Sequence, residues 1–405
     1  MQRHSIYGVS MISPAEAEAL IRSSIAPLGS EPRTIADLNG AILREPIAAT
    51  RDQPPFDRVT MDGIAFASSS ERRTFRIAGT QAAGSRQMIL ASDDACFEVM
   101  TGAVVPTGCD CVVPIERLTI ADGQATLAED VVPSAGLNIH TRGLDCRAGE
   151  MLLEPGTRLG PTEVAIIAAA GLAKAQVARK PRIVVISTGD ELVEPGEPVT
   201  DWQIYRSNAY AVMAGLQQRG YREIAHDHLA DDPDSLRERL RSHLQTHDVL
   251  VLSGGVSMGK FDYVPQTLGE LGVKVAFHKV AQRPGKPMWF GVGQEGQAVY
   301  ALPGNPVSTL VCLTRYVYPG LAAASAEDVL APPRVAMAAP FEVKPALTFF
   351  LPVKLSSDDS GQVTAEPRPT KGSGDFTSLK GTDGFVEIEG PASVPRGASV
   401  RFYRW

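Results

Sequence analysis

No stretch of these 405 residues reaches the roughly 18 consecutive apolar positions that a membrane span needs, so none is expected to cross a bilayer. The opening residues, MQRHSIYGVSMIS, lack the apolar core of a secretion signal, and the expected location is the cytoplasm. Cysteine is scarce: five in all, an odd number, with only Cys109 and Cys111 close together. A lone C-x-C falls short of the Cys and His sets that hold zinc, and GCDCVVP reads as a strand with small buried side chains. Lys and Arg are outnumbered 39 to 46 by Asp and Glu, for a net charge of −7. With a pI near 5.6 and no basic run, nucleic acid is excluded as a partner. Internal repeats and long low-complexity tracts are absent too.

What is present is ordinary globular composition, 44% hydrophobic and 21% charged. The length implies more than one domain and several independent cores. SPAEAEALIRSSIAP (13–27) opens with Ser13 as a cap, Pro14 at the first helical position and Glu16 three residues on, which predicts a helix start. From about 50 to 140 short apolar runs are cut by Gly, Pro and Asp, as in FRIAG, CFEVMTG and QATLAED, and predict strands and turns. Helix returns at GPTEVAIIAAAGL (160–172), with Gly171 as its stop. A β segment is therefore expected between two helical pieces that pack together.

After residue 180 strands alternate with helices. RIVVIS, EIAHDHL, DVLVLS, VKVAFHKV, PMWFGV and AVYAL read as strands, while NAYAVMAGLQQRG, DDPDSLRERLRSHLQ, DYVPQTLGELG and PVSTLVCLTRYV read as helices. That order implies a mostly parallel sheet covered on both faces. From about 330 the chain is Pro-rich and strand-like, the pattern of a small β-barrel or sandwich.

Open α/β sheets bind ligands beyond the carboxyl ends of their strands, and the unusual stretches collect there. SGGVSMG lets the backbone of Gly254 and Gly255 turn tightly beside the hydroxyls of Ser253 and Ser257, a nest suited to phosphate. Glu191, Asp231 and Asp262 each follow a different strand end, and carboxylates facing a phosphate call for a hard divalent cation such as Mg²⁺. For Asp231 a helix cap is the competing reading. KVAQRPGKP gathers Lys279, Arg283 and Lys286 with no acid among them, so that positive charge meets an anion at the mouth of the crevice. Elsewhere, VTMDGIA carries Asp62 in a turn, MTGAVVPTG carries Thr101, and HTRGLDCRAGE pairs Arg142 with Asp145.

Taken together, TMDGIA, MTGAVVPTGCDCVV, RGLDCRAGE, STGDEL, YRSNAY, DDP, SGGVSMGKFDYV, KVAQRPGKP, LPGNPVS and GSGDFTSL resemble, in order, the molybdopterin molybdenumtransferase family, which includes the gephyrin E domain. The resemblance implies a multidomain α/β fold: a helical linking domain (1–50 and 140–179), an inserted β-rich domain (51–139), a molybdopterin-binding α/β domain (180–328) and a C-terminal β-barrel (329–405). It implies insertion of molybdenum from molybdate into adenylylated molybdopterin with Mg²⁺-dependent release of AMP. A homodimer is implied, with the cleft between subunits, and passing contact with the adenylyltransferase and with recipient molybdoenzymes. On this resemblance Lys279, Arg283 and Lys286 hold oxyanions, Glu191, Asp262 and Asp231 serve the metal, and Pro303 and Pro306 fix the adjoining turn. Asp62, Thr101, Arg142 and Asp145 would serve from the neighbouring subunit. Four positions depart from the family: Ile64 where an aromatic is common, Arg283 where Lys is frequent, and Leu347 and Pro352 where arginines are usual. Two alternatives are a binding scaffold of the gephyrin kind and a molybdopterin adenylyltransferase, a shorter family without the insert and barrel.

Overall fold

The computed structural model describes residues 11–255 and 263–405. At its centre is a six-stranded sheet in the order Ile224–Leu229, Ile183–Thr188, Val249–Ser253, Ala298–Leu302, Trp289–Val292 and Lys274–His278. The first four strands are parallel, and the last two pairings are antiparallel. Ile183–Thr188, Val249–Ser253 and Ala298–Leu302 are buried along their whole length, which is why they read as unbroken apolar runs. One face packs on Pro233–Thr246 and Val264–Glu270, the other on Ser207–Gln218 and the consecutive helical segments Pro306–Cys312, Leu313–Val317 and Tyr318–Ser325. Pro233–Thr246 shows how sequence sets an element: Asp232 caps it by accepting from the Ser235 N–H at 2.9 Å, and Leu236, Leu240 and Leu244 form its buried stripe.

The predicted start at Ser13 holds, with the full capping box to Glu16. Its helix, Pro14–Ser24, does not pack against Pro161–Ala169 as expected. Ala17, Ile21 and Ile25 instead join Phe290, Tyr300 and Leu321 in the core of the α/β sheet. The physical reason lies in the stripe, which buries itself against the apolar residues Leu313, Val317, Leu321 and Ala324 of the last helical segments of the α/β domain. Pro161–Ala169, followed by Gly171 at φ +79°, packs with Leu38, Leu43, Leu159 and Val177. This linking region is largely short antiparallel pairs, Ser30–Thr34 with Lys174–Ala178 and Ile47–Ala48 with Met151–Leu153, around that one helix.

The β-rich insert is a six-stranded sheet, Cys111–Pro114, Gly63–Phe66, Ala95–Val99, Thr74–Gln81, Gln124–Leu127 and Leu118–Ala121 in spatial order, with an apolar core on each face. Cys96 and Cys111 are buried in it as small hydrophobes, in keeping with the strand reading of GCDCVVP. Five C-terminal strands, Thr348–Ser357, Val363–Pro367, Arg334–Met337, Ser399–Arg404 and Gly384–Glu389, close into a barrel through the pairing of the first with the last. Arg315 pins the junction. Its side chain is 3% exposed, pairs with Glu18 of the N-terminal helix, lies 3.4 Å from Glu387 of the barrel and sits over the Tyr403 ring.

Candidate functional site

Four parallel strands send their carboxyl ends to one edge, and Lys274–His278, antiparallel to an antiparallel neighbour, ends there too. Topology therefore brings STGDEL, ADDPD, SGG, the cation loop and PGNP to one rim. The glycines permit backbone-to-backbone contact there. A Cβ on Gly254 (φ +100°) would fall 2.8 Å from the Thr188 carbonyl oxygen, and one on Gly255 (φ +67°) 2.9 Å from the Thr188 Oγ1. Gly254 donates to the Leu302 carbonyl at 3.2 Å. Asn208 bridges two of the strand ends, its Nδ2 donating to Ser253 Oγ at 3.1 Å and to the Gly304 carbonyl at 2.7 Å. A cavity of about 90 Å³ opens among Ser187, Thr188, Glu191, Tyr205, Asn208 and Gly254. A larger one, about 540 Å³ around Arg158, Arg219 and Arg404, holds none of the predicted residues, so size does not mark the site.

The acidic candidates divide. Glu191 is exposed on the rim and its carboxylate folds back over Gly189, where a Cβ would lie 2.5 Å from Oε2. Asp231 stands at the next strand end, its N–H donating to Asp190 Oδ1 at 3.1 Å, while the helix-cap role belongs to Asp232. Asp262 and Ser257 lie outside the described residues. Among the described residues no three His, Cys, Asp or Glu side chains gather as a ready-made metal site.

The cation loop is built from below. Gln282, fully buried, accepts from the Tyr316 hydroxyl and donates to the Pro284 carbonyl at 3.1 Å, beside Cys312. Gln282 and Arg283 also pair with Thr348 and Phe349, so the barrel carries one side of the loop. Lys279 is held at φ +74°, its N–H donating to the Met288 carbonyl. Arg283 and Lys286 are exposed, and among the described residues none of the three cations has an ion-pair partner. Beside them Pro303 is buried and accepts from Thr309 Oγ1 at 2.6 Å, and Pro306 begins the helix that Asn305 precedes.

The four insert residues sit apart. Asp62 Oδ1 accepts from both the backbone N–H (2.7 Å) and the hydroxyl (2.8 Å) of Thr101, bonds that hold its carboxyl below the usual range. The expected Arg142–Asp145 pair does not form. The turn through Gly143 (φ +72°) directs Arg142 to Asp52 at 2.7 Å, and Asp145 pairs with His140 at 3.0 Å. No hydrogen bond or ion pair described for these four residues reaches the α/β domain.

Some residues of the rim were not singled out in the sequence. Ser187, Thr188 and Asn208 line the cavity, and Ser373 of the barrel accepts from Asn305 Nδ2 at 2.9 Å. Asp375 organises that barrel turn, and the hydroxyl of Ser378, the N–H of Lys371 and the hydroxyl of Thr377 hold its carboxyl well below the usual range. The signal was in the strings STGDEL, YRSNAY, LPGNPVS and GSGDFTSL, but hydroxyl and amide residues there look like turn chemistry until the strand ends are brought together.

Comparison with known proteins accords with this geometry. Residues 12–171 match the family profile described as MoeA N-terminal region (domain I and II), 184–323 that of a probable molybdopterin binding domain, and 334–405 that of the MoeA C-terminal region (domain IV). A molybdopterin molybdenumtransferase from Synechocystis is 42% identical over 98% of this chain and 100% of its own, and one from Haemophilus influenzae is 33% identical over 73% of each. A crystal structure of a molybdopterin biosynthesis MoeA protein from Pyrococcus horikoshii, 31% identical, superposes with a TM-score of 0.79 over 98% of this chain and 99% of that one. With matching domains in the same order and a relative aligned from end to end, the chain belongs to the molybdopterin molybdenumtransferase family.

Proposed function

We propose that this protein performs the molybdenum-insertion step of molybdenum cofactor synthesis. It takes molybdenum from molybdate, places it on the dithiolene of an adenylylated molybdopterin, and hydrolyses the adenylate to release AMP. The observation that carries this reading is the meeting, on one rim, of a glycine-lined cradle with a loop of three cations lacking ion-pair partners among the described residues. A pyrophosphate and a molybdate are both oxyanions, and unneutralised cations held in place before binding need no reorganisation to receive them.

In this reading Lys279, Arg283 and Lys286 neutralise the oxyanions, with the forked guanidinium of Arg283 suited to two oxygens at once. Pro303 and Pro306 keep the PGNP turn stiff beside them. Ser253, Gly254 and Gly255 cradle phosphoryl oxygens, and Glu191 orients the attacking water. Glu191 and Asp231, with Asp262, are the residues that would hold Mg²⁺, which would supply charge neutralisation for the phosphates. Carboxylates are the ligand type a hard divalent cation takes, and because no three such side chains gather among the described residues, the ion would draw its remaining oxygens from substrate and water. Asp62, Thr101, Arg142 and Asp145 belong to the same reaction only if a second subunit brings its insert to this rim, which is the arrangement we propose. Catalysis is then positioning and charge neutralisation at phosphorus.

The deciding assay is AMP release from adenylylated molybdopterin by purified protein, with and without molybdate and Mg²⁺. Release that needs both ions is expected. No release from folded protein under any condition would leave a binding scaffold as the better account.

A further inference from the structure

Away from the rim, five arginines line one cavity where the domains meet. It holds about 540 Å³, within the size range of small-molecule sites, and no residue of the strand-end rim or the cation loop contributes to it. Arg22 comes from helix Pro14–Ser24, Arg158 from the linking region, Arg219 from the end of Ser207–Gln218, Arg315 from Leu313–Val317 and Arg404 from barrel strand Ser399–Arg404. Only two carboxylates, Glu18 and Glu327, share the lining. That reverses the balance of a chain in which acids outnumber bases 46 to 39.

The acids do not use up the guanidinium donors. Glu327 accepts from Arg158 Nε at 2.8 Å and Nη2 at 2.7 Å. Glu18 accepts from Arg315 with one oxygen and, with the other, from Arg22 Nε at 2.9 Å, an arrangement that commits only one nitrogen of Arg22. Arg404 stands 3.9 Å from Asp383, beyond hydrogen-bond reach. Arg219 has no carboxylate partner among the described residues. Its guanidinium lies 3.7 Å from the centre of the Tyr318 ring, a contact that holds the group in place and leaves its charge intact. The positive field extends past Arg158: burial, then Arg33, Arg222 and Arg158, push the Lys180 ammonium below its ordinary value, with Glu223 opposing them.

Cations brought to one concave surface by separate elements repel one another, and low-dielectric walls strengthen the field they share. An anion in the cavity reverses the sign of that interaction. The rest of the wall is largely apolar, with Leu321, Val329, Leu330, Pro333 and Phe402, and Leu330 is 91% exposed. A purely inorganic ion would leave that surface uncovered.

We propose that this cavity binds a small organic polyanion, an apolar body bearing two or three carboxylate or phosphate groups, with Arg22, Arg219 and Arg404 receiving the charges. Guanidinium forks pair with the oxygens of either group two at a time. The site is separate from the proposed reaction and does not depend on it. Because the three arginines belong to the N-terminal helix, the α/β domain and the barrel, the ligand ties the barrel to the body of the protein.

The probes are benzene-1,3,5-tricarboxylate and fructose 1,6-bisphosphate, titrated into the full-length protein by calorimetry, with thermal unfolding alongside. Saturable one-to-one binding of at least one is expected, and the one that binds assigns the charged groups to carboxylate or phosphate. Arg219→Gln and Arg404→Gln should each weaken that binding roughly tenfold, the loss of about one hydrogen bond between charged groups. Both side chains are exposed, so the variants should fold, which their melting curves without probe will show. Lys286→Gln, in the cation loop, should bind the probe as the wild type does. The melting temperature should rise with bound probe and not with sodium chloride at matched ionic strength. Failure of both probes to bind the wild type overturns the site. An equal rise with chloride also overturns it, because screening alone would then relieve the repulsion. Loss of binding in Lys286→Gln, with both arginine variants unaffected, puts the anion on the rim and overturns the assignment.

Discussion

Replacing Gly285 with alanine should destabilise the α/β region more than most single substitutions. Gly285 is buried at φ +90°, a left-handed conformation costing an L-residue about 1–2 kcal/mol. Its new Cβ would lie 2.6 Å from Gln282 Nε2 and 2.7 Å from Cys312 Sγ. Neither neighbour can swing away. Both are fully buried, and Gln282 is fixed by Tyr316 and the Pro284 carbonyl. Overpacking of that kind adds about 1–3 kcal/mol, so the sum is about 2–5 kcal/mol against a typical domain stability of about 5–15. Guanidinium unfolding would read it through the emission of Trp289, fully buried in the same sheet, in a background where Trp202 and Trp405 are phenylalanine. Adding Cys312→Ala should recover only the part of the steric share due to Sγ, leaving the clash with Gln282 and the backbone share. The same substitution displaces the cation loop, so the KM for molybdate should rise. A loss below about 0.5 kcal/mol, the range of an ordinary surface change, would refute the claim that the loop is held from beneath.

Lys279→Gly should raise stability by about 0.5–1 kcal/mol by relieving a non-glycine residue at φ +74°, yet raise the molybdate KM roughly tenfold or more; equal KM values would remove Lys279 from the site. Burial opposes ionisation of Asp248, but hydrogen bonds from Arg179 and Arg182 outweigh it and hold its carboxyl well below the usual range. Its folded pKa is depressed, so its contribution is present above the unfolded value and is lost as pH falls through the folded one. The denaturation midpoint should therefore fall on acidification below about pH 4, and Asp248→Asn should flatten that slope. Burial pushes the Cys96 thiol up to about 11 and that of Cys109 up to about 12, so iodoacetamide at pH 8 should leave both unmodified in the folded protein, as mass spectrometry can show.

The elements were largely legible in the sequence because they follow local rules. The capping box at Ser13, the Leu236–Leu240–Leu244 stripe and the unbroken apolar runs of the parallel strands each state their conformation within a few residues. The candidate rim was legible for a related reason: in an alternating β–α chain, loops after parallel strands must share an edge. The loop from 279 to 288 joins them only because two antiparallel pairings turn its strand back to the same direction. Periodicity cannot show that.

Long-range partnerships were what the sequence could not state. Arg142 and Asp145 lie three residues apart, yet a glycine turn sends them to Asp52 and His140. Pro14–Ser24 carries an apolar stripe that any exposed apolar face could cover, and shape alone chose the α/β sheet. Gln282, a polar residue in a cationic loop, became its buried support only once Tyr316, Cys312 and the Pro284 carbonyl closed around it. Sequence alone determined the local conformations, the order of the domains and the sign of charge on the rim, since these depend on neighbours in the chain. Tertiary structure alone decided which polar groups are satisfied and which are left facing the cavity, because a hydrogen bond depends on distances between residues the chain holds far apart.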